Sequence, residues 1–251
     1  MRQCITADAP PSRSRTHDWI LAGILLSALA LRLVFALHVR PPMEWTPDAF
    51  VYDGLARSLL ENGTLPSAYR SPGYPVFVAF LYGLFGPSTL AVSVVQAFLS
   101  TLAVGLTYSL GREILGDRRR GVCLIAAALV GLNPEIAAYS ATVLRETITM
   151  VLVLLTAWLC LRMLTKGGWY TIALGVALAA LAYVRMEACL LVLVVLGGCL
   201  FHKKWRKPAL QRGGWAVGIV LLAVFPWIVH CGLHRGYWGI QDTLDNCLFY
   251  R

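Results

Sequence analysis

Seven apolar stretches, separated by short segments that carry most of the charge, limit how this chain can fold more than any other feature. Several of them reach the roughly 20 residues that a helix needs to cross the hydrocarbon core of a membrane. They cover residues 19–39, 89–111, 121–139, 147–164, 169–184, 187–201 and 215–233. With 58% hydrophobic and only 14% charged residues, the composition is that of a membrane protein. We therefore predict an all-α, polytopic membrane protein with about seven transmembrane helices.

The connecting segments differ in their lysine and arginine content, and this difference predicts an orientation. With the N-terminus inside, the basic clusters GDRRR (116–120) and HKKWRK (202–207) both fall on the inner face. Residues 1–18 then form a cytoplasmic tail, 19–233 a transmembrane module with an outer loop at 40–88, and 234–251 an outer tail. The net charge of +9 follows this topology, so we expect membrane lipids and no nucleic acid as partners.

The fifth and sixth stretches are short and have two possible arrangements. One is a single helix from Tyr170 to Phe201, which would bury Arg185 and Glu187 near the middle of the membrane. The other is a hairpin with its tip at Arg185-Met186-Glu187. We favour the hairpin because it also keeps the second basic cluster inside. Each leg would span roughly 22 Å, less than the roughly 30 Å hydrocarbon core, which predicts a polar recess below the outer surface.

The outer loop begins with a helix signal at Thr46-Pro47-Asp48 and predicts an amphipathic helix that stops at Asn62-Gly63. Asp48 has two interpretations: a residue that complements the helix dipole, or a general base that takes a proton from a hydroxyl group. Asp53 and Arg57 form an i, i+4 pair, and Asp53 is also a candidate for substrate binding.

A proline-rich turn follows at Tyr69–Pro75, and then a short apolar helix from Val76 to Phe85. Arg70 lies at this turn, where it would either anchor to lipid headgroups or hold a phosphate in a bidentate manner. Tyr74 in the same turn is a further candidate for substrate binding. The helix has about ten residues, so we expect it to lie at the interface or to be re-entrant.

Three further charged residues lie at the predicted outer boundary. Glu146 opens the fourth span, either as a dipole-complementing acid or as a second catalytic carboxylate facing Asp48. Arg185 and Glu187 lie at the hairpin tip, where they either pair with each other or bind substrate. Arg32 is embedded in the first span and would either snorkel or pair with an outer acid.

The cysteines offer no ligand pattern. They lie at positions 4, 123, 160, 189, 199, 231 and 247, with no C-x-x-C pair and no His/Cys ligand spacing. Most lie in apolar runs, where cysteine behaves as a small hydrophobe. The residues therefore predict no metal ligands and no certain cofactor.

Four stretches together resemble the GT-C superfamily of membrane glycosyltransferases, which use polyprenyl-phosphate sugars. They are LRLVFAL, PDAFVYDGLARSLLENG with YRSPGYPVFVAFLYGLFG, NPEIAAYSATVLRETITMVLVLL, and LAALAYVRMEACLL followed by AVFPWIVHCGLHRGYWG. Their order is that of the branch containing protein mannosyltransferases and aminoarabinose transferases.

The resemblance implies an inverting transfer of a sugar from a polyprenyl-phosphate donor to a hydroxyl group of a lipid, glycan or protein acceptor. The acid of the first outer loop, Asp48, would act as base. The residues expected to bind substrate are Asp53, Arg70, Tyr74, Arg185 and Glu187, with Glu146 a second catalytic acid. Some members use a divalent cation, but Asp48 and Asp53 form no D-x-D motif. The location implied is a bacterial inner membrane.

Members of this superfamily usually continue for several more spans and an outer domain. The expectation is therefore a short form of the shared module, with a complementary subunit as one possible partner. The alternatives are an inactive module or scaffold and, less well supported, a transporter, for which paired broken helices in repeated halves would be expected.

Overall fold

The computed structural model describes residues 15–40, 46–65, 70–201 and 203–240, and every regular element in these ranges is helical. The helices are α1 (Arg15–Val34), α2 (Pro47–Asn62), α3 (Gly73–Phe85), α4 (Thr89–Leu115), α5 (Arg120–Gly131), α6 (Pro134–Ala141), α7 (Glu146–Thr165), α8 (Trp169–Arg185), α9 (Cys189–Leu200), α10 (Lys203–Pro208) and α11 (Gly214–Arg235). The predicted tails lie largely outside the described residues, as do Cys4, Cys247 and the start of the proline-rich turn.

The protein is an all-α, multi-pass membrane protein. Within the described residues, five helices are long and apolar enough to span a membrane, and a bent pair formed by α5 and α6 makes six. The sixth stretch of the sequence analysis, 187–201, forms the 12-residue helix α9, which is shorter than a full span. A π-helical turn at Phe35–Val39 extends α1.

The helical bundle has two chemically different ends. At one end, an Arg162–Glu113 ion pair joins α7 to α4, and Arg212 donates to the carbonyl of Met163 at 2.8 Å. At the other end, α2 and α3 lie beside the α6–α7 turn and the C-terminus of α8. We call these the basic end, formed by residues 112–120, 162–168 and 203–213, and the site end, formed by residues 46–65, 70–74, 133–146 and 185–188. The structure thus gathers the two predicted basic clusters at one end.

The third predicted span, 121–139, is broken, so the prediction of one continuous helix there was wrong. Helix α5 stops at Gly131, Asn133 caps α6 by accepting hydrogen bonds from the backbone N–H groups of Glu135 and Ile136, and Pro134 starts α6. The two helices bend by 50°. Asparagine before proline is a strong helix-start signal, and it divides an otherwise continuous apolar run.

Arg32 occupies the gap that this break creates. Its guanidinium donates to the carbonyls of Gly131 at 2.6 Å and Val130 at 3.2 Å, and to Ser100 Oγ at 2.7 Å. The side chain is fully buried. Both alternatives given for Arg32 were therefore wrong: it neither snorkels to the surface nor pairs with an acid, because the last carbonyls of α5 need donors and attract a cation.

The hairpin is present. Arg185 leaves the helical conformation with φ −158°, and Cys189 donates a hydrogen bond to the carbonyl of Leu178 at 3.6 Å. In a continuous helix Leu178 and Cys189 would lie about 16 Å apart, so α9 must fold back along α8. Leu196 of α9 packs with Met163 and Ala209 near the basic end.

The basic segment before the last span, for which the sequence predicted only a position on the inner face, is helical. Lys203–Pro208 is helical, and a π-helical turn at Ala209–Gly213 joins it directly to α11. Lysine and arginine are good helix formers, and Arg212 fixes the turn through the carbonyls of Met163 and Leu164. The result is one helical run of 33 residues that begins with a basic turn.

Replacing Arg32 with Met should destabilise the fold by about 3 kcal/mol or more, because it leaves buried carbonyls without donors. Reversible unfolding of detergent-solubilised protein by sodium dodecyl sulfate measures the change. Arg40→Met is the matched control, since Arg40 is exposed and makes one hydrogen bond to Thr89. Equal stability of the two variants would contradict the role assigned to Arg32.

Candidate functional site

Helix α2 begins and ends where the sequence predicts. Pro47 takes the first turn, and Gly63 ends the helix with φ +66°, a conformation that glycine adopts without strain. The buried face of α2, which includes Ala49, Tyr52 and Ala56, packs on α3. Since Asp48 lies in the first turn, this packing fixes its carboxylate at the site end.

Asp53 holds α2 to α3. Arg57 donates to Asp53 Oδ2 at 2.8 Å, and the hydroxyl of Tyr82 donates to Oδ1. The hydrogen bond to Asp53 raises the pKa of Arg57, and burial followed by the bond to Asp53 raises the pKa of Tyr82. The predicted pair with Arg57 is therefore present. Both carboxylate oxygens are engaged within the protein, and substrate binding by Asp53 stays a prediction.

Tyr74 is fully buried and reaches α4 rather than an open surface. Its hydroxyl donates to Gln96 Oε1 at 2.8 Å, and the Gln96 amide donates to the carbonyls of Ser140 and Thr142 at 3.2 and 2.5 Å. Burial raises the pKa of Tyr74 well above its ordinary value, so the hydroxyl stays a donor. In this structure Tyr74 positions the α6–α7 turn, and its hydroxyl is committed to Gln96 rather than open to a ligand.

Gly73 brings the first outer loop against the hairpin. A Cβ at this position would lie 2.8 Å from the carbonyl carbon and oxygen of Tyr183, near the end of α8. Such a distance is impossible without backbone movement, so only glycine allows this contact. The start of α3 and the region of Arg185 are therefore held side by side.

Four charged side chains lie near enough to the buried Tyr52 to act on the pKa of its hydroxyl. Burial raises the pKa of Tyr52, the positive charges of Arg145 and Arg70 oppose this, and the negative charges of Asp48 and Glu146 reinforce it. Arg70 forms an ion pair with Asp48. We call these five residues the Tyr52 cluster. It brings together Asp48, Arg70 and Glu146, which lie on three different segments of the sequence.

Glu146 has an unsatisfied oxygen. Among the described residues, its buried Oε2 has no hydrogen-bond partner, and its Oε1 lies 3.9 Å from Arg185 Nη1. That separation allows charge attraction but no hydrogen bond. Arg185 thus faces Glu146 across the helices, whereas the sequence analysis considered a pair with Glu187.

A cavity of about 450 Å³ lies beside Glu146 and Arg185. Its other walls come from α4, α5, α6 and α7, and are mainly apolar: Thr107, Val130, Ile136, Thr149, Met150, Val153 and Leu154. From Glu146 to Leu154 it follows α7 for about 12 Å. The cavity therefore joins a charged pair at the site end to an apolar space among the spanning helices.

The remaining predictions have separate outcomes. Glu187 is exposed at the hairpin tip and forms no ion pair within the part of the chain that the structure describes. The same part contains no group of three or more His, Cys, Asp or Glu residues that could hold a metal ion. Substrate roles for Glu187 and Arg70 stay predictions.

Sequence reasoning missed Tyr52, Gln96 and Gly73. Gln96 had a usable signal, because Ser93, Gln96 and Ser100 recur at helical spacing within an apolar span, and such residues usually bond to a neighbouring helix. Ser93 indeed donates to the carbonyl of Ala141 at 2.7 Å. Tyr52 and Gly73 carried no such signal, since their importance depends on which segments meet in space.

Residues 69–230 match a family described as dolichyl-phosphate-mannose-protein mannosyltransferase. The chain belongs to this family. The match covers α3 to α11 and includes Arg70, Gly73, Glu146 and Arg185. It confirms the resemblance to the GT-C membrane glycosyltransferases that was based on the four stretches.

Curated relatives of this family member are named undecaprenyl phosphate-alpha-4-amino-4-deoxy-L-arabinose arabinosyl transferases. One from Pseudomonas paraeruginosa is 27% identical over 214 residues, covering 78% of this chain and 39% of the relative. One from Pseudomonas aeruginosa is 27% identical over 231 residues, covering 85% and 40%. One from Pseudomonas fluorescens is 22% identical over 236 residues, covering 87% and 40%. The chain thus spans about 40% of their length.

Gly73→Ala should separate α3 from α8, because the new methyl group meets backbone that has no alternative position. We expect a loss of about 1–3 kcal/mol in stability, a typical cost of overpacking. Thermal unfolding of the purified protein measures it. Gly54→Ala is the matched control: it lies inside α2 with nothing within 4 Å of its Cβ, and should be neutral or slightly stabilising. A Gly73→Ala protein as stable as Gly54→Ala would contradict the contact.

Proposed function

We propose that this protein transfers a sugar from a polyprenyl-phosphate donor to a hydroxyl group of a lipid, glycan or protein acceptor at the site end. The observation that carries the proposal is the cavity in which Glu146 and Arg185 meet an apolar space. A lipid-linked sugar phosphate has the same two parts as this cavity, since it joins a long apolar chain to an anionic head. Membership of the mannosyltransferase family and the names of the curated relatives support the same donor class.

The cavity suits the phosphate end of such a donor. Arg185 is half-exposed and paired with Glu146 only at 3.9 Å, so its donors are available to phosphate oxygens. Because an apolar environment strengthens charge interactions, the guanidinium would also stabilise the negative charge that develops on the leaving phosphate. The polyprenyl chain would follow the apolar wall along α7. Glu187, next but one to Arg185, would add an acceptor for the sugar.

Asp48 is the proposed general base. Its carboxylate is about half exposed at the start of α2 and forms an ion pair with Arg70, which holds it in place. It would take the proton of the acceptor hydroxyl as the hydroxyl oxygen bonds to the anomeric carbon. The bond between that carbon and the phosphate oxygen breaks, and polyprenyl phosphate leaves with the electron pair. Attack opposite the leaving group inverts the anomeric configuration.

Glu146 is the second proposed catalytic acid. Its carboxylate lines the cavity beside Arg185, so it can accept a hydrogen bond from a sugar hydroxyl and orient the donor toward Asp48. Arg70 would keep Asp48 in position or bind phosphate once the donor is present. Asp53 and Tyr74 support these residues from behind, through the bonds that hold α2, α3 and α4 together.

We also propose an orientation with the N-terminus in the cytoplasm of a bacterium and the site end outside the inner membrane. The basic end carries GDRRR and the lysines of α10, as the positive-inside rule requires for a cytoplasmic face. Both the lysine and arginine content of the loops and the grouping of basic residues at one end of the bundle support this orientation.

Asp48→Asn should lower kcat about 10²–10⁴-fold, the usual contribution of a general base. The assay follows transfer of label from an undecaprenyl-phosphate sugar to lipid and glycan acceptors by purified protein in liposomes. Glu61→Gln is the control, because it removes one acid from the same helix at its exposed far end. Equal turnover by wild type and Asp48→Asn would eliminate Asp48 as the base.

Arg185→Gln should raise KM for the donor roughly tenfold or more, since it removes a charged hydrogen-bond donor to phosphate. The same liposome assay at varied donor concentration measures it. Arg235→Gln removes an equal charge near the site end but does not line the cavity, and should leave KM within about twofold. A donor KM that responds equally to both substitutions would show that Arg185 acts only through long-range charge.

A further inference from the structure

A second cavity, of about 310 Å³, lies at the basic end, on the opposite side of the bundle from the Tyr52 cluster. Its lining is mainly polar and comes from the ends of α4 and α7 and the turn that follows α4: Ser109, Arg112, Glu113, Asp117, Trp158 and Arg162. None of these residues takes part in the proposed transfer reaction. A cavity of this composition, placed where a spanning bundle meets water, requires its own explanation.

Arg162 is the residue whose bonding is incomplete. Its Nη2 pairs with Glu113, and its guanidinium lies over the ring of Trp158 at 5.1 Å from the centroid. Its Nε is buried and has no hydrogen-bond partner among the described residues. A buried N–H of a charged group is costly when it has no acceptor, so the protein alone does not fully satisfy the Arg162 guanidinium.

The charges around the cavity favour an anionic ligand. A single oxygen of Asp117, Oδ1, accepts from both Arg112 and Arg120, with Arg120 donating at 3.1 and 3.2 Å. Three guanidinium groups meet two carboxylates at the cavity, and the charge of Asp18 on α1 also acts on Arg112. Arg118 and Arg119 add further positive charge at the adjoining turn. A cluster of arginine forks fits the oxygens of a phosphate group.

We propose that the cavity at the basic end binds a phosphate group through Arg162 and Arg112. The source is either the headgroup of a membrane lipid or free phosphate, and both present the same oxygens. Trp158 would form the apolar side of the site, at the depth where tryptophan is typical of membrane interfaces. This inference does not depend on the proposed sugar transfer.

The test is a binding titration of the detergent-solubilised full chain with short-chain phosphatidylglycerol, and in a second arm with inorganic phosphate. Arg162→Gln should weaken phosphatidylglycerol binding roughly tenfold, the loss expected for a charged hydrogen bond. Arg119→Gln is the matched control: it removes the same charge from the same end but does not line the cavity, and should change binding less than about twofold.

Glu113→Gln provides a test of opposite sign. It frees the Nη2 of Arg162 and removes a negative charge, so phosphate binding should become tighter rather than weaker. This result could not arise from general unfolding. Binding of phosphatidylglycerol alone would identify a lipid headgroup as the ligand, and competition by inorganic phosphate would identify the free ion. Equal weakening by Arg162→Gln and Arg119→Gln, or weaker binding by Glu113→Gln, would overturn the proposal.

Discussion

The fold depends on one guanidinium group inside the membrane bundle. Arg32 lies on α1 and donates to Ser100 on α4 and to the final carbonyls of α5. Taking a charge out of water costs several kcal/mol, so the group is retained only where it is fully bonded. Here the C-terminus of α5 supplies carbonyls and the negative end of a helix dipole, which together replace a carboxylate. The break in the third span and the buried arginine therefore stabilise each other.

A row of polar residues on α4 connects this break to the site end. Ser100 binds Arg32, Gln96 binds the carbonyls of Ser140 and Thr142, and Ser93 binds the carbonyl of Ala141. All of these carbonyls belong to the segment that follows the break. Helix α4 thus fixes where α6 ends and where α7 begins. Glu146, the first residue of α7, takes its position from bonds to carbonyls that lie four to sixteen residues earlier in the chain.

The helical class, most spans, the hairpin and the limits of α2 could be predicted, because each depends on apolar length or on a local signal such as Pro47 or Gly63. The break at Asn133-Pro134 also had a local signal, but the continuous apolar run concealed it. The pairing of Arg185 with Glu146, 39 positions apart, had none. Contacts such as Gly73 on Tyr183 depend on how helices are arranged in space, which residue spacing alone does not determine.

The carboxylates of the site end differ in their bonding, and this difference separates structural from chemical roles. Arg57 and Tyr82 donate hydrogen bonds to the two oxygens of Asp53, so neither oxygen is free for a ligand while α2 and α3 stay packed together. Asp48 holds a single arginine and stays half exposed, whereas Glu146 keeps a buried oxygen without a donor. An unsatisfied carboxylate beside an apolar cavity is costly for the protein alone. This difference in bonding supports the proposal that Glu146 and Asp48, rather than Asp53, act on the substrate.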